Sequence, residues 1–296
     1  MRKIVLHLHN PKTAGTSFNA ILRRCFGRGF GEDWLLCGNV DYRAEHVIHA
    51  VSVMRQSAFS SHALRASSVP SQEALDPLDV AVLPISFCRD PIEKAISGYF
   101  DLRHRVGGPQ HAATQMGIAE VIAQARTSDF RDTRFSISRS QTQWYFPGQP
   151  DAMAAIQAAI ASRMLWLFPS HRVDEALICL EKEFPDLFPD CSYGLRKNVS
   201  PRDYDPSSED RTALSTLPWI EQDRDLVALA ELSLEGRIER LFPDSGTYQK
   251  HMKDFRGRCD VRRRQEETFS AASDNTEGVA RRLINRLASV FRHRIS

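Results

Sequence analysis

The chain has 296 residues, enough for one large α/β domain and a tail, and its 42% hydrophobic and 26% charged content is ordinary for a soluble globular protein. The formal net charge of +2 is unevenly spread, because residues 256–296 carry ten arginines against five acids, net +5, and residues 1–255 carry about −3. The body therefore lacks the general signature of a nucleic-acid-binding protein, and no apolar run of about 18 residues predicts a membrane span.

The N-terminal stretch predicts a core strand over residues 4–8. Met1–Lys3 provides the positive start of a signal peptide, but His7 and His9 interrupt the apolar run, so we do not expect a targeting segment. The six cysteines form no CxxC pair and show no metal-ligand spacing. Reduced thiols, a cytoplasmic location and no metal site are the expectation.

The strand leads into a turn, residues 9–17, and then into a helix predicted over 16–26 by its apolar spacing. A turn of this kind directs backbone N–H groups and the positive end of the helix dipole toward one point, which favours an anion. The turn differs from a Walker A loop because its lysine precedes the glycine. An ordinary capped turn is the structural alternative. The candidate anion-binding residues are Lys12, Thr13, Ala14, Gly15, Thr16 and Ser17.

Two further strands are predicted, one short strand ending at His62 and one buried strand over 80–88. The second strand is followed by Arg89-Asp90-Pro91 and a helix over 92–100, a second strand–turn–helix unit. Arg89 and a hydroxyl one to two turns into this helix, Ser97, can converge on one phosphate. Alone, the Arg-Asp-Pro turn would be a common salt-bridged turn.

The remaining chain predicts mostly helices around one more strand. We expect helices over 117–127, 152–162, 171–184 and 209–242, and a strand over 164–168. Residues 141–146 combine glutamines with aromatics, which fits either stacking on a sugar or a buried aromatic corner. Residues 256–276 predict a mobile linker, and residues 277–295 a basic amphipathic helix that could meet a membrane, a polyanionic glycan or a second copy of the chain.

Residues 9–18, HNPKTAGTSF, resemble the PKTAGTS loop of the sulfotransferases that use PAPS (3′-phosphoadenosine 5′-phosphosulfate), particularly the carbohydrate branch that includes heparan sulfate 2-O-sulfotransferase. The resemblance implies a three-layer, P-loop-like α/β fold with a central, mostly parallel sheet, and a catalytic domain over residues 1–255. Golgi members carry an N-terminal membrane anchor, so a chain without one suggests a bacterial, cytosolic relative. The acceptor would be a hydroxyl, most plausibly on a saccharide or glycoconjugate.

The resemblance also implies a role for each motif. The first loop would bind the 5′-phosphosulfate with Lys12 on the transferred sulfate, Arg89 and Ser97 would bind the 3′-phosphate, and His62 would be the general base. A histidine suits that task because its pKa lies near neutrality. His62 follows Ser61 where the family commonly has glycine, so His7, His9 and His49 remain lesser candidates, and an acidic base is the main chemical rival.

Two weaker resemblances lie further along the chain. Residues 198–200 resemble the family's Asn-Val-Ser segment, near which Arg196, Lys197 and Arg202 could add charge around the nucleotide, and residues 172–177 resemble a late core unit whose polar residues we interpret as structural. A non-catalytic nucleotide-binding or regulatory module remains an alternative function. A small-molecule kinase is a further alternative, which the lack of a Walker A loop and of magnesium ligands disfavours.

Overall fold

The computed structural model describes residues 1–33, 43–53, 56–105, 117–127, 140–194 and 205–292. Its centre is a parallel five-stranded sheet in the order β2-β3-β1-β4-β5. The strands are Arg2–Leu8 (β1), Phe30–Asp33 (β2), Ala58–Ser61 (β3), Val80–Cys88 (β4) and Trp166–Pro169 (β5). The predicted central parallel sheet is confirmed, and all five strands end at the same edge.

β1 lies in the middle of the sheet. Its register pairs Leu8 with Ser61 of β3 on one side and His7 with Ile85 of β4 on the other. β2 was not predicted from the sequence, where a glycine-rich stretch follows the helix predicted over 16–26. Four residues at an edge of the sheet are too few to show a strand's alternating pattern.

Helices cover both faces of the sheet. They are Gly15–Phe26 (α1), Ala44–Val53 (α2), Gln72–Leu75 (α3), Pro91–Arg105 (α4), Ile118–Thr127 (α5), Gln141–Tyr145 (α6), Ala152–Ala161 (α7), Val173–Glu183 (α8), Ser208–Ser215 (α9), Ile220–Leu241 (α10) and Ser245–Arg292 (α11). Most predicted helices are confirmed, whereas the one predicted over 209–242 is divided into α9 and α10. Among the helices of the described residues, none has the length and apolar character needed to cross a membrane.

The alternating side chains of β1 belong to two different cores. Val5 packs in one cluster with Phe18 of α1 and with residues of α8 and α11. Leu6 packs in a second cluster with Val51 of α2 and Ile156 of α7. Because successive strand residues point to opposite faces, this division confirms the three-layer arrangement.

The tail differs from its prediction. α11 runs without interruption from Ser245 to Arg292, so the linker predicted over 256–276 is wrong. The helix predicted over 277–295 is confirmed over its described residues, 277–292. Phe255 and Cys259, one turn apart, are buried in the first core cluster. Arg258 bonds to Glu181, at 2.7 and 3.0 Å, and to Asp190 at 2.6 Å. Arginines such as Arg258 give the segment the composition of a disordered linker. In the folded chain, Arg258 instead pairs with acidic residues outside α11.

Candidate functional site

The sheet has a topological switch point between β1 and β4. These strands are neighbours, but the chain leaves β1 toward β2 on one side and leaves β4 toward β5 on the other. Diverging connections open a crevice at the carboxyl edge of a parallel sheet, where ligands of open α/β folds bind. Both predicted anion-binding turns, after β1 and after β4, flank this crevice.

The first turn has an unusual backbone. Lys12 and Ala14 have φ values of 67° and 75°, in the left-handed region that non-glycine residues rarely adopt. Ala14 is the N-cap of α1 and offers no capping side chain. Residues held in this region are sites of stored backbone strain. The turn therefore places Thr16 and Ser17 in the first turn of α1, half-buried, with the helix N-terminus directed at the crevice.

Two residues of the turn serve its internal structure. The Thr13 hydroxyl, predicted as a ligand donor, donates to the Asn10 carbonyl at 2.8 Å and is buried. A Cβ on Gly15 would lie 2.1 Å from Cδ2 of His9, so the glycine is required by the histidine ring packed on it. The space above Gly15, a predicted anion-binding residue, is thus occupied by a side chain of the protein.

Asn10 is buried at the base of the same turn. The residue is 1% exposed, and its side chain interacts with the Tyr145 hydroxyl. Among the described residues, its Nδ2 finds no acceptor in good hydrogen-bond geometry. An imperfectly bonded buried donor is destabilising, so an acceptor such as a ligand oxygen or a water would stabilise the turn.

Lys12 and Arg89 link the two turns. Nζ of Lys12 lies 3.1 Å from Oδ1 of Asp101 on α4, and the lysine side chain is 10% exposed. Nη1 of Arg89 donates to the Lys12 carbonyl at 3.4 Å. The two candidate phosphate-binding basic residues are therefore adjacent, and Asp101 is a site residue that sequence reasoning missed.

α4 presents one face to both basic residues. Glu93 lies 3.7 Å from Nη2 of Arg89, and Asp101 pairs with Lys12. Ser97 is half-buried at the position midway between these acids, four residues from each, so all three share one face of the helix. The Asp90 carboxylate accepts the Glu93 N–H at 2.9 Å, which gives Asp90 a capping role.

His62 follows β3 and stacks on His9, with 3.8 Å between ring centroids. Its Nδ1 is 2.9 Å from the His9 carbonyl. A carbonyl only accepts hydrogen bonds, so Nδ1 carries the proton and the lone pair of the neutral ring is on Nε2. The structure thus brings His62 to the start of the first turn, in the tautomer whose Nε2 can accept a proton.

The lesser histidine candidates lie in different surroundings. His7 and His9 are 1% and 3% exposed. Burial lowers the pKa of His7 to about 3, and burial together with the neighbouring His7 and His62 lowers the pKa of His9 well below its usual value. His49 is exposed on α2. Of these histidines, His62 alone combines partial exposure with a place beside the turn.

Asn19 of α1 fixes the two buried rings. Its Nδ2 donates to Oε1 of Glu32 at 2.6 Å, so its Oδ1 faces Nδ1 of His7, also at 2.6 Å. Nδ1 of His7 is therefore the protonated nitrogen, while Nδ1 of His9 lies 3.4 Å from the same Asn19 amide and accepts. No local sequence signal indicates this network, because its members come from β1, α1 and β2.

The aromatic segment 141–146 packs against a residue that holds the His62 backbone. Trp144 and Tyr145 are buried, which confirms the aromatic-corner alternative. The Trp144 ring packs beneath the Arg65 guanidinium, 4.4 Å from its centroid, and Nη1 of Arg65 donates to the His62 carbonyl at 2.5 Å. Trp144 therefore contributes to the position of His62 indirectly.

Other predicted features have simpler outcomes. Arg172 pairs with Glu175 and Glu235, and Asp174 accepts a hydrogen bond from Tyr193 at 2.6 Å, both structural roles as predicted. The segment with Arg196, Lys197, residues 198–200 and Arg202 lies outside the described residues. Within the described part of the chain, no group of three or more His, Cys, Asp or Glu side chains could hold a metal ion.

Comparison with known proteins gives a distant structural likeness. No protein-family model and no curated protein sequence matches the chain. Among solved structures, the chain is similar to mouse sulfotransferase SULT7A1 complexed with PAP, at 10% sequence identity and a TM-score of 0.38. That alignment covers 86% of this chain and 90% of the mouse protein chain.

Proposed function

We propose that the chain is a sulfotransferase that moves the sulfuryl group of PAPS to an acceptor hydroxyl, on a saccharide or glycoconjugate. One observation carries the proposal. Two strand–turn–helix anion loops meet at the switch point, where Nη1 of Arg89 is 3.4 Å from the Lys12 carbonyl, and His62 stacks on His9 at the start of the first loop. A nucleotide with anionic groups at both ends of its ribose matches this pair of loops.

The two ends of PAPS take different partners in this proposal. The 5′-phosphosulfate binds at the N-terminus of α1, where backbone N–H groups, the Thr16 and Ser17 hydroxyls and Lys12 supply donors and positive charge. The 3′-phosphate binds at the second loop, where Arg89 offers a planar fork and Ser97 a hydroxyl.

The reaction is a direct displacement at sulfur. The acceptor oxygen attacks, Nε2 of His62 takes its proton, and the bond from sulfur to the bridging oxygen breaks to release adenosine 3′,5′-bisphosphate. Lys12 stabilises negative charge on the sulfuryl and bridging oxygens, while Asp101 holds the lysine at the crevice. Positioning and electrostatics supply the catalysis, so the proposal requires no metal.

Binding and transfer test different parts of the proposal. Calorimetry should show tighter binding of adenosine 3′,5′-bisphosphate than of magnesium-ATP, and labelled sulfate should move from PAPS to members of a glycan panel. His62→Ala should lower transfer by about 10²–10⁴-fold and retain bisphosphate binding, because only the base is lost. The exposed His49→Ala is the matched control and should keep wild-type transfer.

Three results would separate the alternatives. Preference for magnesium-ATP would favour a kinase and contradict the proposal. Bisphosphate binding without transfer to any acceptor would favour a binding or regulatory module. Unchanged transfer by His62→Ala would assign the base to another residue, such as an acid.

A further inference from the structure

A side chain remote in sequence holds the backbone of Arg89. We propose that Gln141, fixed by Asp223, is a positioning residue for the 3′-phosphate and determines selectivity for nucleotides that carry one. The inference rests on the proposed function, since that function assigns Arg89 to the 3′-phosphate. The sequence singles out segment 141–146 for its glutamines and aromatics, but it gives Gln141 no role toward the 3′-phosphate.

The Gln141 carboxamide bonds to both backbone groups of Arg89. Its Oε1 accepts the Arg89 N–H at 3.0 Å, and its Nε2 donates to the Arg89 carbonyl at 2.7 Å. β4 ends at Cys88, so Arg89 is the first residue beyond the strand. A planar amide that makes two hydrogen bonds fixes the position and direction of this backbone unit, as a further rung of the sheet would.

Asp223 in turn fixes Gln141. The carboxylate is fully buried and accepts the backbone N–H groups of Gln141 and Thr142 at 2.7 and 3.0 Å. It also accepts the hydroxyls of Ser140 at 2.7 Å and Thr142 at 3.0 Å. Four hydrogen bonds to one buried charge make a rigid anchor, because each is charge-assisted. The first turn of α10 therefore determines where α6 begins.

The anchor has a consequence for the Arg89 guanidinium. The side chain is 29% exposed, and it lies between the Lys12 carbonyl and Glu93 at the crevice. A long side chain loses conformational entropy when it binds an anion. A fixed backbone reduces this loss, because fewer conformations of the residue are accessible before binding. Gln141 thus affects the 3′-phosphate through Arg89 without touching the nucleotide.

The test compares two nucleotides that differ only in the 3′-phosphate. Dissociation constants for adenosine 3′,5′-bisphosphate and for adenosine 5′-monophosphate are measured by calorimetry on the full chain. Gln141→Met, which removes both hydrogen bonds at similar volume, should lower the preference for the bisphosphate by about tenfold and leave monophosphate binding within about twofold. Gln141→Glu, which keeps an acceptor for the Arg89 N–H but cannot donate to the Arg89 carbonyl, should also lower the preference for the bisphosphate.

Matched controls separate positioning from a general loss of structure. Gln143→Met alters the same helix, but the Gln143 amide donates to the Gln149 carbonyl at 3.3 Å, so the preference should stay at its wild-type value. In an Arg89→Ala background, Gln141→Met should have no further effect on the preference. Thermal unfolding of each variant shows which proteins are folded, and Gln141→Glu provides a second measurement if Gln141→Met unfolds.

The outcomes distinguish this inference from the function on which it rests. A preference that Arg89→Ala abolishes and neither Gln141 variant changes would overturn the positioning role and leave the proposed function standing. Equal weakening of both nucleotides by the Gln141 variants would also overturn it, since a purely structural role predicts that result. A wild-type protein without preference for the bisphosphate would overturn both proposals.

Discussion

The two anion loops are built in opposite ways. The loop after β1 is shaped by its own residues: Lys12 and Ala14 adopt left-handed backbone, and the His9 ring packs on Gly15. The loop after β4 is shaped from outside, because Gln141 and Asp223 hold Arg89 from two distant helices. The first loop therefore carries its own backbone strain, whereas the second loop is held by hydrogen bonds from residues distant in sequence.

This difference has a functional consequence. A strained, self-contained turn presents its donors to a reacting group with little freedom to adjust, which suits the end of the nucleotide where chemistry occurs. An externally held arginine suits recognition, where a fixed fork selects a phosphate. Changes in the first loop should therefore affect rate, and changes in the second should affect nucleotide selectivity.

The largest predicted effect compares Lys12→Ala with Arg89→Ala. Lys12→Ala should reduce the rate constant of sulfuryl transfer by about 10²–10³-fold, as expected when one donor to developing charge is removed. It should weaken bisphosphate binding much less than it slows transfer, because that product keeps the 5′-phosphate but lacks the sulfuryl group that Lys12 faces. Arg89→Ala should instead weaken the bisphosphate about tenfold or more and leave adenosine 5′-monophosphate unaffected.

Steady-state kinetics and calorimetry on the same two variants measure this contrast. Asp101→Asn is a useful companion, since it removes the charge that faces Lys12 at 3.1 Å without changing side-chain size. If Lys12→Ala and Arg89→Ala changed the transfer rate and the nucleotide affinities to the same extent, the distinction between a catalytic loop and a recognition loop would be wrong.

The same contrast explains what the sequence could predict. For the first loop, the strand, the turn and the helix are predicted correctly, because the residues that form them are consecutive, whereas its anion-binding role stays a prediction. For the second loop the sequence indicated Arg89 and Ser97, but nothing near them indicates that Gln141 would reach the Arg89 backbone. Asp101 lies within a predicted helix, yet only the folded chain brings it to Lys12.

The tail shows the converse error. Residues 256–276 have the charge-rich composition of a linker. Composition does not reveal that Arg258 pairs with Glu181 and Asp190, or that Arg262 pairs with Asp190. Long-range pairing of this kind is not encoded in a local window. Met252, Phe255 and Cys259 lie at helical spacing and are buried in the first core cluster, so their spacing is a local sign that this part of the helix packs on the core.

Gly15→Ala tests how self-contained the first loop is. The added Cβ would lie 2.1 Å from the His9 ring, which must shift and disturb its stacking on His62. Overpacking of this kind costs about 1–3 kcal/mol in the free energy of unfolding. Urea unfolding measures the loss, and transfer should fall as well.

Two variants check the cause of that loss. Gly236→Ala in the middle of α10 is the matched control, because its Cβ would meet nothing within 4 Å, and helix propensity predicts a gain of up to about 1 kcal/mol. Combining Gly15→Ala with His9→Ala should cost less than the sum of the two single changes. Strict additivity would show that the His9 ring is not what excludes a side chain at position 15.

The smallest predicted effect concerns the histidines beside the first loop. Burial lowers the pKa of His7 to about 3, from 6.5 in the unfolded chain, so the unfolded state binds more protons below pH 6.5. This contribution to stability is complete above pH 6.5 and is lost as the pH falls toward 3. Between pH 7 and 5.5 the His7 share of the loss is about 1 kcal/mol, and His9 adds a loss in the same direction.

Urea unfolding at several pH values measures this slope. His7→Asn should be less stable at pH 7 but flatter between pH 7 and 5.5, because one proton-linked group is removed. Ser60→Ala loses the hydroxyl 3.0 Å from Nδ1 of His7 yet keeps the buried ring, so it should lower stability by a constant amount and retain the slope. A wild-type slope in His7→Asn would mean that other groups carry the acid sensitivity. His7 would then support the first loop through packing alone.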